Sequence, residues 1–325
     1  CEHYQAKDAS VKNAFTTMNK DKLSFKLTNI CSKLSFWIYT PNESLPELNN
    51  DENCYIQYKW DIKCLVKSRK KQINQYSILK SNKYPNKIFL VFKGTDVDKI
   101  FDCLQDTGIV PMPIWCNDIN KNINDDWQFS VYSGVYCGLM RDYVNIWKQL
   151  DKLKGNNDEL IVCGHSLGGG LSILFGLQSI MNNKINIDST RIITFGAPCV
   201  ISIEKRFYEL NDIAREYLLK LHRITYNIVN RFDPISRIPI RTEWFFSVIP
   251  YAFTKILTEQ LRDMIYVPSL LESIIKKFAK FGLSKFTTYM TQHSKLFETY
   301  KTFGTYYFYV NNAKNPYILN DPDTI

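Results

Sequence analysis

Ile161 to Leu177 reads IVCGHSLGGGLSILFGL. A short apolar run meets the pentad Gly164-His165-Ser166-Leu167-Gly168 and then passes directly into a longer apolar stretch. The first run has the length of a buried strand and the second the length of a helix. A serine at that junction has to make a very tight turn, and small residues at Gly164 and Gly168 relieve the crowding such a turn imposes. Ser166 is thereby held clear of the backbone. The helix that begins after it aims free N–H groups and its positive dipole end at the same point, so the N–H of Leu167 is placed to bind a developing oxyanion. A bare GxSxG occurs in unrelated glycine-rich turns. The strand before it and the helix after it are what define a nucleophile elbow.

Working outward, short β-like runs at Lys87 to Phe92, Arg191 to Phe195 and Leu221 to Val229 join Leu160 to Cys163, and helical patterns span Val135 to Lys152 and Leu167 to Asn182. Strands that alternate with helices, and that are apolar without polar alternation, predict a mainly parallel sheet covered by helices on both faces. An N-terminal part that reads helical precedes Thr40 to Glu52, a loop rich in Pro, Asn and acid within the same domain. From Pro268 to Phe281 the pattern is that of a basic amphipathic helix, with Leu270, Leu271, Ile274, Ile275, Phe278 and Phe281 on one face. The region 244–285 is read as a lid or interfacial helical insertion, with Lys276, Lys277 and Lys280 suited to anionic lipid; core packing is the default reading of its apolar face.

With 325 residues, 45% hydrophobic and 22% charged, the chain has the composition of a folded globule, and disordered, collagen-like and mucin-like classes are excluded. The net charge of +9 favours anionic partners in general. The densest basic run, Lys67, Arg69, Lys70 and Lys71, contains no aromatic residue that could stack on bases, so it reads as a solvated loop and nucleic acid is not expected. Nine cysteines without a CxxC pair form neither a zinc site nor a dense disulfide framework. No dinucleotide fingerprint or phosphate loop is present either, so no cofactor and no metal are expected. Cysteines that look unpaired and an opening CEHYQAKDAS without an apolar signal core lean toward the cytoplasm, while the sequon Asn42-Glu43-Ser44 leaves secretion open. Oligomeric state is not written in the sequence.

Several further segments, in order, resemble the class 3, or fungal-type, lipase family of α/β-hydrolases. VFKGTD, Val91 to Asp96, is similar to the family's FRGT strand end, with Lys93 in place of Arg. Asp102 and Asp106 match the D-W-x-x-D pattern, with Cys103 at the Trp position. SVYSGVY, Ser130 to Tyr136, is similar to V-H-x-G-F, and ITFGAPCV, Ile193 to Val200, resembles T-F-G-x-P-R-V. NRFDPISRIP, Asn230 to Pro239, is close to N-x-x-D-x-V-P-R-L-P. The resemblance implies an α/β-hydrolase fold, Thr95 in the oxyanion hole opposite the N–H of Leu167, and Asp233 as the acid of a catalytic triad.

A serine hydroxyl is a weak nucleophile, so acyl transfer needs a neutral imidazole in hydrogen-bond reach and a carboxylate that fixes its tautomer. On this fold the chain order is Ser, acid, His. Of the four histidines, His165 adjoins the nucleophile and should point elsewhere, His3 and His222 precede Asp233, and His293 is the one downstream candidate. HSKLFETY around His293 is similar to the family's H-S-L-x-x-Y. YKTFGTYYF, Tyr300 to Phe308, resembles the Y-x-P-F-G-x-Y-x-F segment of lipase-like proteins of plant immunity, where the base follows that segment. From there to Ile325 no histidine occurs, as though a longer protein had been cut.

The expected function is a serine ester hydrolase: Ser166 attacks an acyl carbonyl, the imidazole takes its proton, and an acyl-enzyme forms and is released by water. Lipid acyl esters as substrate, and contact with a membrane or lipid interface, are implied by the resemblance; motif physics alone supports acyl transfer. The alternative is a catalytically impaired lipase-like scaffold that keeps the elbow and the acid and serves as an interaction module. A peptidase or an acyltransferase would use the same elbow.

Overall fold

The structure is a computed structural model that describes residues 23–39, 55–63, 73–80, 84–94, 111–114, 129–230, 236, 299–301, 303–309 and 317–319. Its centre is four parallel strands whose side chains are buried on both faces. These are β3 (Lys87–Phe92), β6 (Glu159–His165), β7 (Thr190–Phe195) and β9 (Thr225–Asn230). Their registers pair Lys87 with Glu159, Leu160 with Thr190 and Ile192 with Thr225. Side-chain alternation divides them between two cores. Ile88, Leu90, Phe92, Leu160, Val162 and Ile192 face one, and Phe89, Val91, Ile161, Cys163 and Ile193 face the other. Polar alternation is missing because neither face meets water.

The sheet extends at both edges. On one side lie the antiparallel β1 (Tyr55–Lys63) and β2 (Ile73–Lys80), and on the other the parallel β11 (Thr305–Tyr309) followed by the antiparallel β12 (Tyr317–Leu319). The described residues thus form an eight-stranded sheet in the order β1-β2-β3-β6-β7-β9-β11-β12. A second, all-antiparallel sheet joins β4 (Pro111–Pro113), β5 (Ser130–Tyr132), β8 (Ile201–Ser202) and β10 (Tyr300–Lys301).

Helix α4 (Leu167–Met181) is buried along its whole length against the first core, which suits its near-uniformly apolar sequence. Its polar side chains are satisfied internally. Tyr136 donates to Gln178 Oε1 at 2.7 Å, Trp147 Nε1 donates to Ser179 Oγ at 3.1 Å, and Ser172 donates to the Gly168 carbonyl at 2.8 Å. The same layer holds α2 (Ser133–Met140), α3 (Tyr143–Leu153) and α5 (Asp212–Ile224), with Trp147 of α3 stacked on Phe175 at 5.5 Å. The opposite face is covered by α1 (Phe25–Trp37), through Ile30, Cys31, Leu34, Trp37 and the following Ile38. Each large apolar side chain so buried contributes about 1.5–3 kcal/mol. The mainly parallel sheet, the helices on both faces and the N-terminal helical segment read from the sequence are all present.

Two boundaries differ from the sequence reading. The single helix expected from Val135 to Lys152 is two helices, because the chain turns at Arg141–Asp142 between α2 and α3. The strand expected from Leu221 begins only at Thr225; Leu221 to Ile224 complete α5, whose Ala214, Tyr217, Leu218 and Leu221 recur at helical spacing and are buried. The loop at Thr40 to Glu52, the basic run from Lys67 to Lys71 and the region 244–285 lie outside the described residues.

Candidate active site

Ligands of open α/β sheets bind beyond the carboxyl ends of the parallel strands, and Ser166 sits there, immediately after β6. Its backbone has φ 55° and ψ −128°, in the positive-φ region that a residue with a Cβ rarely enters. Such a conformation costs about 1–3 kcal/mol and persists only where the surroundings over-determine it. Here they do. Ser166 N–H donates to the Phe195 carbonyl at 2.9 Å, which ties the turn to the end of β7. The Ser166 carbonyl accepts from Gly169 N–H at 2.8 Å and Gly170 N–H at 3.2 Å, which starts α4 without delay.

The two glycines of the pentad are required by close approach. A Cβ on Gly164 would run into the backbone of Gly168, and one on Gly168 would run into the Phe92 carbonyl and stand 2.9 Å from Gly94 N. The first contact folds the elbow back on its own strand. The second presses the start of α4 against the end of β3, where the chain leads into Thr95. Leu167, as first residue of α4, has an N–H with no acceptor inside the helix, and the dipole adds positive potential at the same place. The Ser166 side chain makes no capping bond to that helix, and the residue is buried, with 1% of its surface exposed.

His165, the last residue of β6, shares the α1 face with Cys163 and Ile161. Its Nδ1 lies 3.1 Å from the hydroxyl of Tyr39, just past the end of α1. Burial pushes its pKa below the ordinary histidine value, which favours the neutral ring. Tyr39 was not singled out in the sequence, since it stands 126 residues from His165 in a turn without periodicity.

Of the other expected site residues, Thr95, Asp233 and His293 lie outside the described residues. Their neighbours along the chain are described. Gly94 packs at the elbow. Asp233 is three residues beyond Asn230, the end of β9, and three before Ser236, whose carbonyl accepts from Cys199 Sγ at 3.8 Å. His293 is six residues before Thr299, which is held on the second sheet: its carbonyl accepts from Ile203 N–H at 2.7 Å and its hydroxyl bonds Ser202 Oγ at 2.6 Å. A cavity of about 760 Å³ opens at the other end of the strands, lined by Lys26, Leu27, Lys87, Glu159, Arg191 and Tyr226 among others. It is remote from the elbow, since Lys87 and Glu159 begin the strands whose far ends carry Gly94 and Ser166. The described residues contain no group of three or more side chains that could hold a metal ion, and none of their helices is long and apolar enough to cross a membrane.

Comparison with known proteins agrees with this geometry. Residues 89–243 match the model of the class 3 lipase family. Among solved structures, a lipase from Rhizopus microsporus var. chinensis superposes with a TM-score of 0.54 at 15% identity, over 91% of this chain and 78% of that one. Lipase II from Rhizopus niveus gives 0.53 at 15% identity, over 91% and 82%. A triacylglycerol lipase described as having a serine protease triad for its catalytic centre gives 0.53 at 14% identity, over 91% and 84%. No curated protein sequence matches. At such identities the structures establish the fold. Residues 89–243 are thus similar to the class 3 lipases, and the chain shares the α/β-hydrolase fold of the solved fungal lipases.

Proposed function

We propose that the protein is a serine hydrolase of lipid acyl esters that works through an acyl-enzyme on Ser166. The observation that carries this reading is the backbone of Ser166 at φ 55°, wedged between two glycines that cannot be larger, at the carboxyl end of the central strand and at the start of a helix. A purely structural turn has no need of a non-glycine residue there. In the proposed reaction an imidazole takes the proton from Ser166 Oγ as it attacks the ester carbonyl, and Asp233 orients that imidazole. Thr95 and the N–H of Leu167 stabilise the oxyanion; the alcohol leaves with the proton, and water attacks the acyl-enzyme by the same route. His293 is assigned as the base. Lipid esters as substrate follow the family match and the triacylglycerol lipase among the structural relatives. The basic, amphipathic sequence of 244–285 supports its assignment as a lid or interfacial insertion.

One observation favours a second reading. Thr95, Ser166 and Asp233 each follow the carboxyl end of a parallel strand, β3, β6 and β9. His293 instead precedes β11, the next parallel strand. A chain with elbow and acid but no working base would be an interaction module on a lipase scaffold. Hydrolysis of p-nitrophenyl butyrate by the purified chain separates the two. The enzyme reading expects turnover that falls about 10⁴-fold or more in Ser166→Ala. A folded chain whose rate is unchanged by that substitution contradicts it.

A further inference from the structure

Helix α1 ends before the region that matches the class 3 lipase model, yet it delivers one side chain to the elbow. Ile30, Cys31, Leu34, Trp37 and Ile38 dock α1 on Phe89, Val91, Ile161, Cys163 and Ile193, residues of β3, β6 and β7. The chain then turns, with Ile38 N–H bonded to the Leu34 carbonyl at 3.1 Å and Tyr39 N–H to the Phe36 carbonyl at 3.1 Å. That turn sends Tyr39 to the carboxyl ends of two strands at once. Its hydroxyl lies 3.1 Å from His165 Nδ1, and the two rings meet edge-on at 5.9 Å. Lys93 Nζ sits 5.5 Å from the centre of the Tyr39 ring, a cation–π distance. The same hydroxyl occupies the space that a Cβ on Gly94 would need.

His165 is bonded directly to Ser166, and Lys93-Gly94 leads directly to Thr95. Tyr39 therefore touches both the strand end that carries the nucleophile and the strand end that leads to the expected oxyanion donor. We propose that Tyr39 is a positioning residue that fixes these two strand ends relative to each other; this rests on the reading of Ser166 as a nucleophile. The elbow needs such support. A strained φ is kept only by contacts that leave it no alternative, and displacement of reacting groups by about 1 Å can cost 100-fold in rate. The Tyr39 hydroxyl and His165 Nδ1 share this hydrogen bond, and burial favours the neutral His165 ring. Because Tyr39 acts through its neighbours, its loss lowers turnover and leaves substrate affinity in place.

The test is Tyr39→Phe in the full chain, which keeps the ring beneath Lys93 and deletes the hydroxyl. On p-nitrophenyl butyrate, kcat falls about 10- to 100-fold with KM within about twofold. In ¹⁵N NMR the hydrogen-bonded Nδ1 signal of His165, assigned by its absence in His165→Gln, moves to the position of an unbonded ring nitrogen. Leu34→Ala, on the same helix but without contact to His165, serves as the control: its kcat per folded molecule stays at the wild-type value. Equal kcat in Tyr39→Phe and wild type overturns the proposal, as does an equal loss in Leu34→Ala, which would assign the effect to docking of α1 in general. An inactive wild-type chain overturns the hydrolase reading and this role together. A His165 signal in Tyr39→Phe that is unmoved from that of an active wild type also overturns the proposal and leaves the hydrolase reading in place.

Discussion

Ser166 holds a conformation that its own Cβ opposes, and the cost of that choice is measurable. Glycine reaches φ 55° without the steric penalty, so Ser166→Gly relieves the elbow. The variant is expected to be more stable than wild type by about 1 kcal/mol in urea unfolding, with hydrolysis abolished. A variant less stable than wild type would mean that the turn is not strained and that the serine was chosen for packing. The pentad itself was legible in the sequence, because glycines two positions to either side of a serine at a strand–helix junction have few other uses. Tyr39 was not. A side chain that acts through one hydroxyl across 126 residues leaves no local pattern, and only the fold brings it to His165.

The elements that could be read in advance are those whose burial leaves one solution. Strand β3 is legible from Lys87 to Phe92 because an unbroken apolar run of that length, ended by Gly94, suits a strand covered on both faces. Strands β6 and β7 are legible to within two residues at each end for the same reason. The junction of α5 and β9 was misplaced because Leu221 to Val229 is apolar across both, and periodicity within so short a run does not separate the end of a buried helix from the start of a strand. The second sheet was invisible, since its strands of two or three residues are too short to show alternation. Helix α1 is the element on which the opposite face of the sheet depends. Leu34, 2% exposed within that core, has no solvent to fall back on, and Leu34→Ala is expected to cost about 2–5 kcal/mol in urea unfolding. A change below about 0.5 kcal/mol would show that α1 is not docked on the sheet as described.

At the scale of the whole molecule, the function depends on topology bringing the ends of several strands together. Strands β3, β6, β7, β9 and β11 run parallel, and their carboxyl ends lie on one side. The segment before β11 is pinned: Thr194 donates to Asn227 Oδ1 at 2.6 Å, Asn227 Nδ2 donates to the Phe303 carbonyl at 2.9 Å, and Gly304 N–H donates to His222 Nδ1 at 3.0 Å. His222 is thus a buried part of the frame. The fold class is legible in the sequence because the VFKGTD, elbow, ITFGAPCV and NRFDPISRIP segments fall at the ends of β3, β6, β7 and β9. The triad could not be read whole, because the order Ser, acid, His constrains the base only to lie downstream. If His293 is that base, His293→Ala loses hydrolysis as fully as Ser166→Ala does, whereas undiminished turnover removes it from the mechanism.

The most direct measurement of all is chemical. The folded chain is incubated with a fluorophosphonate, which reacts with a serine only where a base and an oxyanion site activate it, and the adduct is located by intact mass and peptide mapping. A single adduct on Ser166, absent from Ser166→Ala, is the expected result. A folded chain that stays unmodified, or that carries its adduct on another residue, contradicts the account.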